Sequence, residues 1–108
     1  MKLKNGDPFD IQGKDGEEIT FVMTDGTVDE TTTNLDGDVQ ILKKNEPRKF
    51  TLQKGKKRKM AVIYVFKASS GESYESHVTG EPGGDQSVDK FDQVPGMADN
   101  QVIYRFEA

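Results

Sequence analysis

The sequence predicts an all-β domain, an antiparallel β-sandwich of about seven strands. Three observations carry that prediction. No segment of the 108 residues sustains a helical period. Short stretches in which apolar and polar residues alternate recur along the chain, the period of half-buried strands. Turn signals such as Asp25-Gly26 and Asp36-Gly37 separate them at intervals of about 8–12 residues, as the short strands of a sandwich require.

Taken in order, residues 1–17 are polar and turn-rich, with only Leu3, Phe9 and Ile11 able to pack. They read as an N-terminal arm or short first strand ahead of a sandwich spanning residues 18–108. Glu18 to Thr24 is a strand with Ile19, Phe21 and Met23 on one face. Thr27 to Thr33 alternates weakly and suits a sheet edge. Leu35-Asp36-Gly37-Asp38 turns, and Val39 to Leu42 follows as a short strand carrying Val39 and Ile41. Asn45-Glu46-Pro47 turns again.

The stretch from Lys49 to Ala68 holds the longest apolar run. Phe50 and Leu52 alternate with polar residues, whereas Met60 to Phe66 is apolar on both faces, as in a strand covered on two sides. Gly55 and its charged neighbours read as the turn of a β-hairpin joining these arms. Met60, Val62, Tyr64 and Phe66 then face the core together with Phe50 and Leu52. Ser73 to Thr79 turns Tyr74, Ser76 and Val78 to one side. Residues 80–100 read as a long irregular connection anchored by Val88, Phe91, Val94 and Met97. Gln101 to Phe106 closes the sandwich with Val102, Tyr104 and Phe106 aligned.

Composition narrows the function. Apolar residues make up 32% and charged residues 31%, so a small core carries a heavily solvated surface. The chain has no cysteine, which excludes a disulfide scaffold and thiol catalysis and suits a reducing compartment. No apolar run approaches the roughly 20 residues of a membrane span. The opening Met-Lys-Leu-Lys-Asn-Gly-Asp lacks the apolar segment of a signal peptide. The expectation is a soluble, cytoplasmic monomer.

Charge is segregated. Residues 1–38 hold ten acidic and three basic side chains, residues 39–67 ten basic and one acidic, and residues 68–108 eight acidic and two basic. The blocks form either neighbours that neutralise one another in the fold or a bipolar surface, and because compact domains generally intersperse charge the first is expected.

Catalysis is the poorest fit to the residues present. The one histidine, His77, would need a serine or threonine partner, and the spacing of the acidic residues selects no acid–base pair. No catalytic residue and no cofactor is assigned, and the chain reads as a non-enzyme. Asn34-x-Asp36-Gly37-Asp38 is similar to the start of a calcium loop but departs from the EF-hand, whose sixth and twelfth positions fall on Val39 and Asn45. Turn chemistry accounts for these residues and no metal site is assigned, with a weak calcium site at a sandwich end as an alternative. The sharpest local feature is the basic run Lys54, Lys56, Lys57, Arg58 and Lys59. It suits a polyanion or an anionic membrane surface, including transient membrane contact. No aromatic residues are interleaved to stack bases, so nucleic acid is not the expected partner.

The ordered pieces also form a pattern: Leu35-Asp36-Gly37-Asp38, Lys43-Lys44, Phe50-Thr51-Leu52-Gln53-Lys54-Gly55, Met60 to Phe66, Tyr74 with His77, Glu81-Pro82-Gly83-Gly84, Gly96-Met97 and Arg105-Phe106. In this order and spacing, over residues 18–106, the chain resembles the immunoglobulin-like domain of Rho GDP-dissociation inhibitors. The resemblance implies an immunoglobulin-like sandwich that binds a small GTPase and, as the further expectation, holds its isoprenyl tail between the sheets. It places Phe50, Leu52, Met60, Val62 and Val102 along that lipid pocket. Asp85, Asp89 and Asp92 are then candidates to meet a basic segment beside the lipid. Two family features lack a counterpart: a helical arm that grips the GTPase, and a further strand after the Arg-Phe pair. Inhibition of nucleotide release is therefore not implied, and the basic run lies outside the family pattern.

Overall fold

Alternation along the chain resolves into nine strands in two sheets packed face to face, a β-sandwich. The computed structural model describes residues 8–81 and 86–108. The strands are β1 (Pro8–Gln12), β2 (Glu18–Gly26), β3 (Glu30–Leu35), β4 (Asp38–Lys43), β5 (Arg48–Thr51), β6 (Arg58–Val65), β7 (Ser73–Glu81), β8 (Gln86–Asp92) and β9 (Asp99–Glu107). One sheet runs β1-β9-β6-β3-β4 and the other β5-β2-β7-β8. All pairings are antiparallel except β1 with β9, which is parallel.

The sandwich is the predicted one, and the strands that build its core lie where alternation puts them. Ile19, Phe21 and Met23 of β2, Met60, Val62 and Tyr64 of β6, and Val102, Tyr104 and Phe106 of β9 are all essentially sealed from solvent. Burying each such side chain contributes about 1.5–3 kcal/mol, so these nine positions supply much of the driving force. β6 takes the centre of its sheet, as expected, but its second face lacks the cover expected from its apolar pattern: Val65 is 59% exposed and Ala61 and Ile63 are half-buried, because each sheet of a two-layer sandwich packs on one face only.

Four further expectations change. The strand count rises from about seven because β1 and β8 join the sheets. β8 occupies part of the stretch expected to be irregular. Its inward residue Asp89 is acidic and fully buried, so β8 shows no apolar alternation. Of the anchors expected there, Phe91 and Met97 pack against the core, Val94 is 52% exposed, and the side chain of Val88 lies outside the described residues. β3 lies between β4 and β6 rather than at an edge. Its inward Thr31 and Thr33 are buried with their hydroxyls donating to the carbonyls of Ile63 and Gln40, each at 2.9 Å.

The fourth change concerns the expected hairpin. β5 and β6 belong to different sheets. Between them the chain makes only an isolated bridge, Gln53 to Lys56, with Gly55 at φ 80°. Phe50 and Leu52 therefore face Met60 and Val62 across the sandwich instead of pairing beside them. A hairpin and an arch between sheets carry the same alternation, because both turn the apolar positions of the two arms towards one core.

The core divides into two aromatic groups. Tyr64 stacks on Tyr74 with centroids 3.5 Å apart, and Phe91 lies 5.9 Å from Tyr74 and 6.4 Å from Phe66. At the other end Phe50 meets Phe106 edge-on at 4.9 Å, with Tyr104 6.3 Å from Phe106.

Candidate functional site

β6 and β9 run antiparallel, with Arg58 opposite Phe106, Lys59 opposite Arg105 and Tyr64 opposite Asn100. β1 adds along β9 so that Asp10 aligns with Arg105. This register brings the first residues of β6, the last of β9 and the outer edge β1 together. They enclose a cleft of about 540 Å³, within the roughly 300–1,000 Å³ of small-ligand sites. Lys57, Arg58 and Lys59 form one wall, Arg105 and Glu107 another, and Asp10 and Gln12 of β1 the third, with Ile11 and Phe106 contributing the apolar part.

The two residue types in the basic run behave differently. Arg58 pairs with Asp36 and places its guanidinium 5.3 Å from the centre of the Phe50 ring, a cation–π arrangement. Burial alone would raise the Asp36 carboxyl. The Arg58 guanidinium and the backbone N–H of Lys59, which donates to Asp36 at 3.0 Å, outweigh burial and hold it below its ordinary value. Arg105 reaches Asp10 with two bonds, at 2.6 and 3.0 Å. The third arginine, Arg48, is buried and donates to the Thr33 hydroxyl at 2.8 Å and to Asp38 at 2.8 Å. All three arginines are thus neutralised by aspartates of the N-terminal acidic block, and two of the three, Arg48 and Arg58, come from the central basic block, as charge neutralisation between blocks requires. Lys54, Lys56, Lys57 and Lys59 are exposed, and among the described residues none of them forms an ion pair. The unpaired cationic charge at the cleft comes from lysines, Lys57 and Lys59.

The remaining candidates fall elsewhere. Leu52, Met60, Val62 and Val102 are fully buried and Phe50 is 9% exposed. Val62 stands opposite Val102 across the β6–β9 ladder. The five occupy one inter-sheet layer, and none of them lines the cleft. Of the acidic candidates, Asp92 is exposed and Asp85 lies outside the described residues. Asp89 is corrected: it is fully buried, so it faces the core and cannot meet a partner at the surface. Its charge acts on the phenols of Tyr64, Tyr74 and Tyr104, which burial first and Asp89 in addition push above their ordinary values. Tyr64 shares a 2.6 Å hydrogen bond with Ser76, and Asn100 donates to the Tyr74 hydroxyl. His77 bonds Glu75 at 2.9 Å. In the calcium-like turn, Asn34 accepts from the Gly37 N–H at 2.8 Å, while Asp36 and Asp38 pair with arginines. Among the described residues no group of three or more acidic or histidine side chains is placed to hold a metal ion.

Sequence reading found the lysines and missed Asp10, Gln12, Arg105 and Glu107, which complete the cleft. These residues lie more than forty positions from the basic run, on the first and last strands. Their only sequence signal is that they are the polar positions of those strands, and only the register shows which of them meet. Compared with known proteins, the chain matches no family model, no curated protein and no solved structure.

Proposed function

We propose that this domain is a binding module for a polyanion, taken up in the cleft between β1, β9 and the start of β6. The observation that supports this reading is the contrast between paired arginines and unpaired lysines. Lys57 and Lys59 stand at the cleft and Lys54 and Lys56 precede them in the chain, four exposed ammonium groups on one short arch. Arg58 and Arg105, held by aspartates, shape the walls, and the lysines supply the charge a ligand meets. Lysine is a strongly hydrated point charge on a flexible stem, which suits irregularly spaced sulfates, phosphates or carboxylates better than one fixed group.

The test measures binding of a heparin oligosaccharide, of phosphatidylserine vesicles and of phosphatidylcholine vesicles at rising salt. Binding is expected to weaken by at least an order of magnitude between low and physiological salt, because each neutralised anion releases counterions. Lys54, Lys56, Lys57 and Lys59 changed together to Gln are expected to abolish it. A preference for vesicles over the oligosaccharide assigns the anions to a membrane surface. Unchanged binding in the quadruple variant would sink the proposal.

A second reading keeps the resemblance to Rho GDP-dissociation inhibitors, with a small GTPase as partner and its isoprenyl tail between the sheets. It is supported by Phe50, Leu52, Met60, Val62 and Val102 sharing one layer. It requires the sheets to part, because that layer is sealed. A prenylated peptide and its unprenylated twin separate the two readings: equal or absent binding of both removes the lipid.

A further inference from the structure

The four sheet edges are not alike. β1 and β4 border one sheet, β5 and β8 the other. An exposed edge is a template for another strand, and proteins blunt it with proline, lysine, short length or an inward charge. β1 begins at Pro8 and carries Asp10, bonded to Arg105. β5 has four residues and follows Pro47. β8 turns Asp89 inward and carries Lys90. β4 carries charge only at its two ends, Asp38 and Lys43, and its middle, Val39-Gln40-Ile41, has none of these devices. It presents Val39 and Ile41 instead, 57% and 63% exposed.

The backbone of β4 fixes what it can bind. Asp36 and Gly37, at φ 50° and 96°, close a two-residue turn with Leu35 opposite Asp38. In such a hairpin the flanking pair is hydrogen-bonded, so Asp38, Gln40 and Leu42 bond β3 while Val39, Ile41 and Lys43 point to the open edge. Lys43 is satisfied locally, since its N–H donates to Glu46 Oε1 at 2.7 Å and its carbonyl accepts the Glu46 N–H at 3.1 Å. Among the described residues, the N–H and C=O groups of Val39 and Ile41 remain open.

We propose that β4 is a homodimer interface, with β4 of a second copy added antiparallel about a two-fold axis at Gln40. Val39 and Ile41 flank Gln40 symmetrically, so each Val39 pairs with the other copy's Ile41 and four backbone hydrogen bonds form. The pattern is its own complement, which selects a second copy over an unrelated strand. The four apolar side chains meet on the outer sheet face, beside Ile63, which lies across Thr32 from Ile41. The same register sets Lys43 of each copy beside the acidic turn Asp36-Gly37-Asp38 of the other. β4 lies at the opposite edge of its sheet from the cleft, so this inference stands apart from the polyanion reading, and it replaces the monomer expected from sequence.

Sedimentation equilibrium up to millimolar concentration tests it, with V39K/I41K and with single-cysteine variants, since the chain has no cysteine. Two Gln40 residues at the axis form a non-hydrogen-bonded pair with Cα atoms about 4.5 Å apart, within disulfide reach. The wild-type chain is expected to dimerise, V39K/I41K to show half its apparent mass with an unchanged circular dichroism spectrum, and Gln40→Cys to crosslink under mild oxidation while Thr51→Cys does not. A wild-type chain monomeric throughout overturns the proposal and leaves the edge to a strand of another protein. A dimer that persists in V39K/I41K, or fails to crosslink through Gln40→Cys, overturns it in favour of a different surface.

Discussion

The two ends of the β6–β9 ladder are built from the same alternation and do opposite things. At one end Tyr64 lies opposite Asn100, and Tyr74, Ser76 and Asp89 close a buried polar cluster around them. At the other end Arg58 lies opposite Phe106, the apolar layer is phenylalanine, and the charged residues stand outside it around a cleft. At the closed end Tyr64 bonds Ser76 and Asn100 bonds Tyr74. The open end pairs its arginines and leaves its lysines to solvent. An alternating pattern therefore states which residues turn inward, and the chemistry of those residues decides whether an end seals or receives a ligand.

Alkaline pH is the strongest way to break the closed end. Tyr64 and Tyr74 of that end, and Tyr104 further along β9 but within reach of the Asp89 charge, have folded pKa values raised above the unfolded value. The folded state then retains protons that the unfolded state releases, so the stability is fully present below about pH 10 and lost as pH rises beyond it. Three such groups give a loss of about 4 kcal/mol per pH unit. Urea unfolding midpoints that stay level across that range would refute the cluster's role. Next in size is Phe106→Ala at the open end. It removes the ring that meets Phe50 and is expected to cost about 3–5 kcal/mol in the same assay at neutral pH. The smallest effect sharpens the contrast from within. Tyr104→Phe deletes a buried hydroxyl that makes no hydrogen bond among the described residues. Stability at neutral pH is expected to stay within about 0.5 kcal/mol, while the alkaline slope falls by about a third. A large loss at neutral pH would mean that the hydroxyl is bonded after all.

The strands that alternate strongly were legible because their apolar residues could only turn inward together. β2, β6, β7 and β9 follow that logic, and so does the turn at Asp36-Gly37. β8 was hidden because its inward residue is an aspartate, whose burial no period of hydrophobicity can announce. β3 was misplaced as an edge because its inward residues are threonines. Their hydroxyls look solvent-facing in sequence but find carbonyl partners in the sheet. Half of the cleft was visible as a run of basic residues. The other half comes from strands at the two ends of the chain, joined by a parallel pairing that no local signal encodes.

Residue order alone specifies a β-sandwich, a central strand apolar on both faces and a lysine-rich turn before it. Those properties follow from the side-chain period, which each strand carries alone. The folded arrangement puts the arms on either side of Gly55 in different sheets, neutralises Arg58 and Arg105 but not the lysines, and leaves the middle of β4 as an open edge. Each of these depends on which strand lies beside which. Strand neighbours are set by packing two faces against one core, and the alternation within any one strand is the same whichever neighbour it meets.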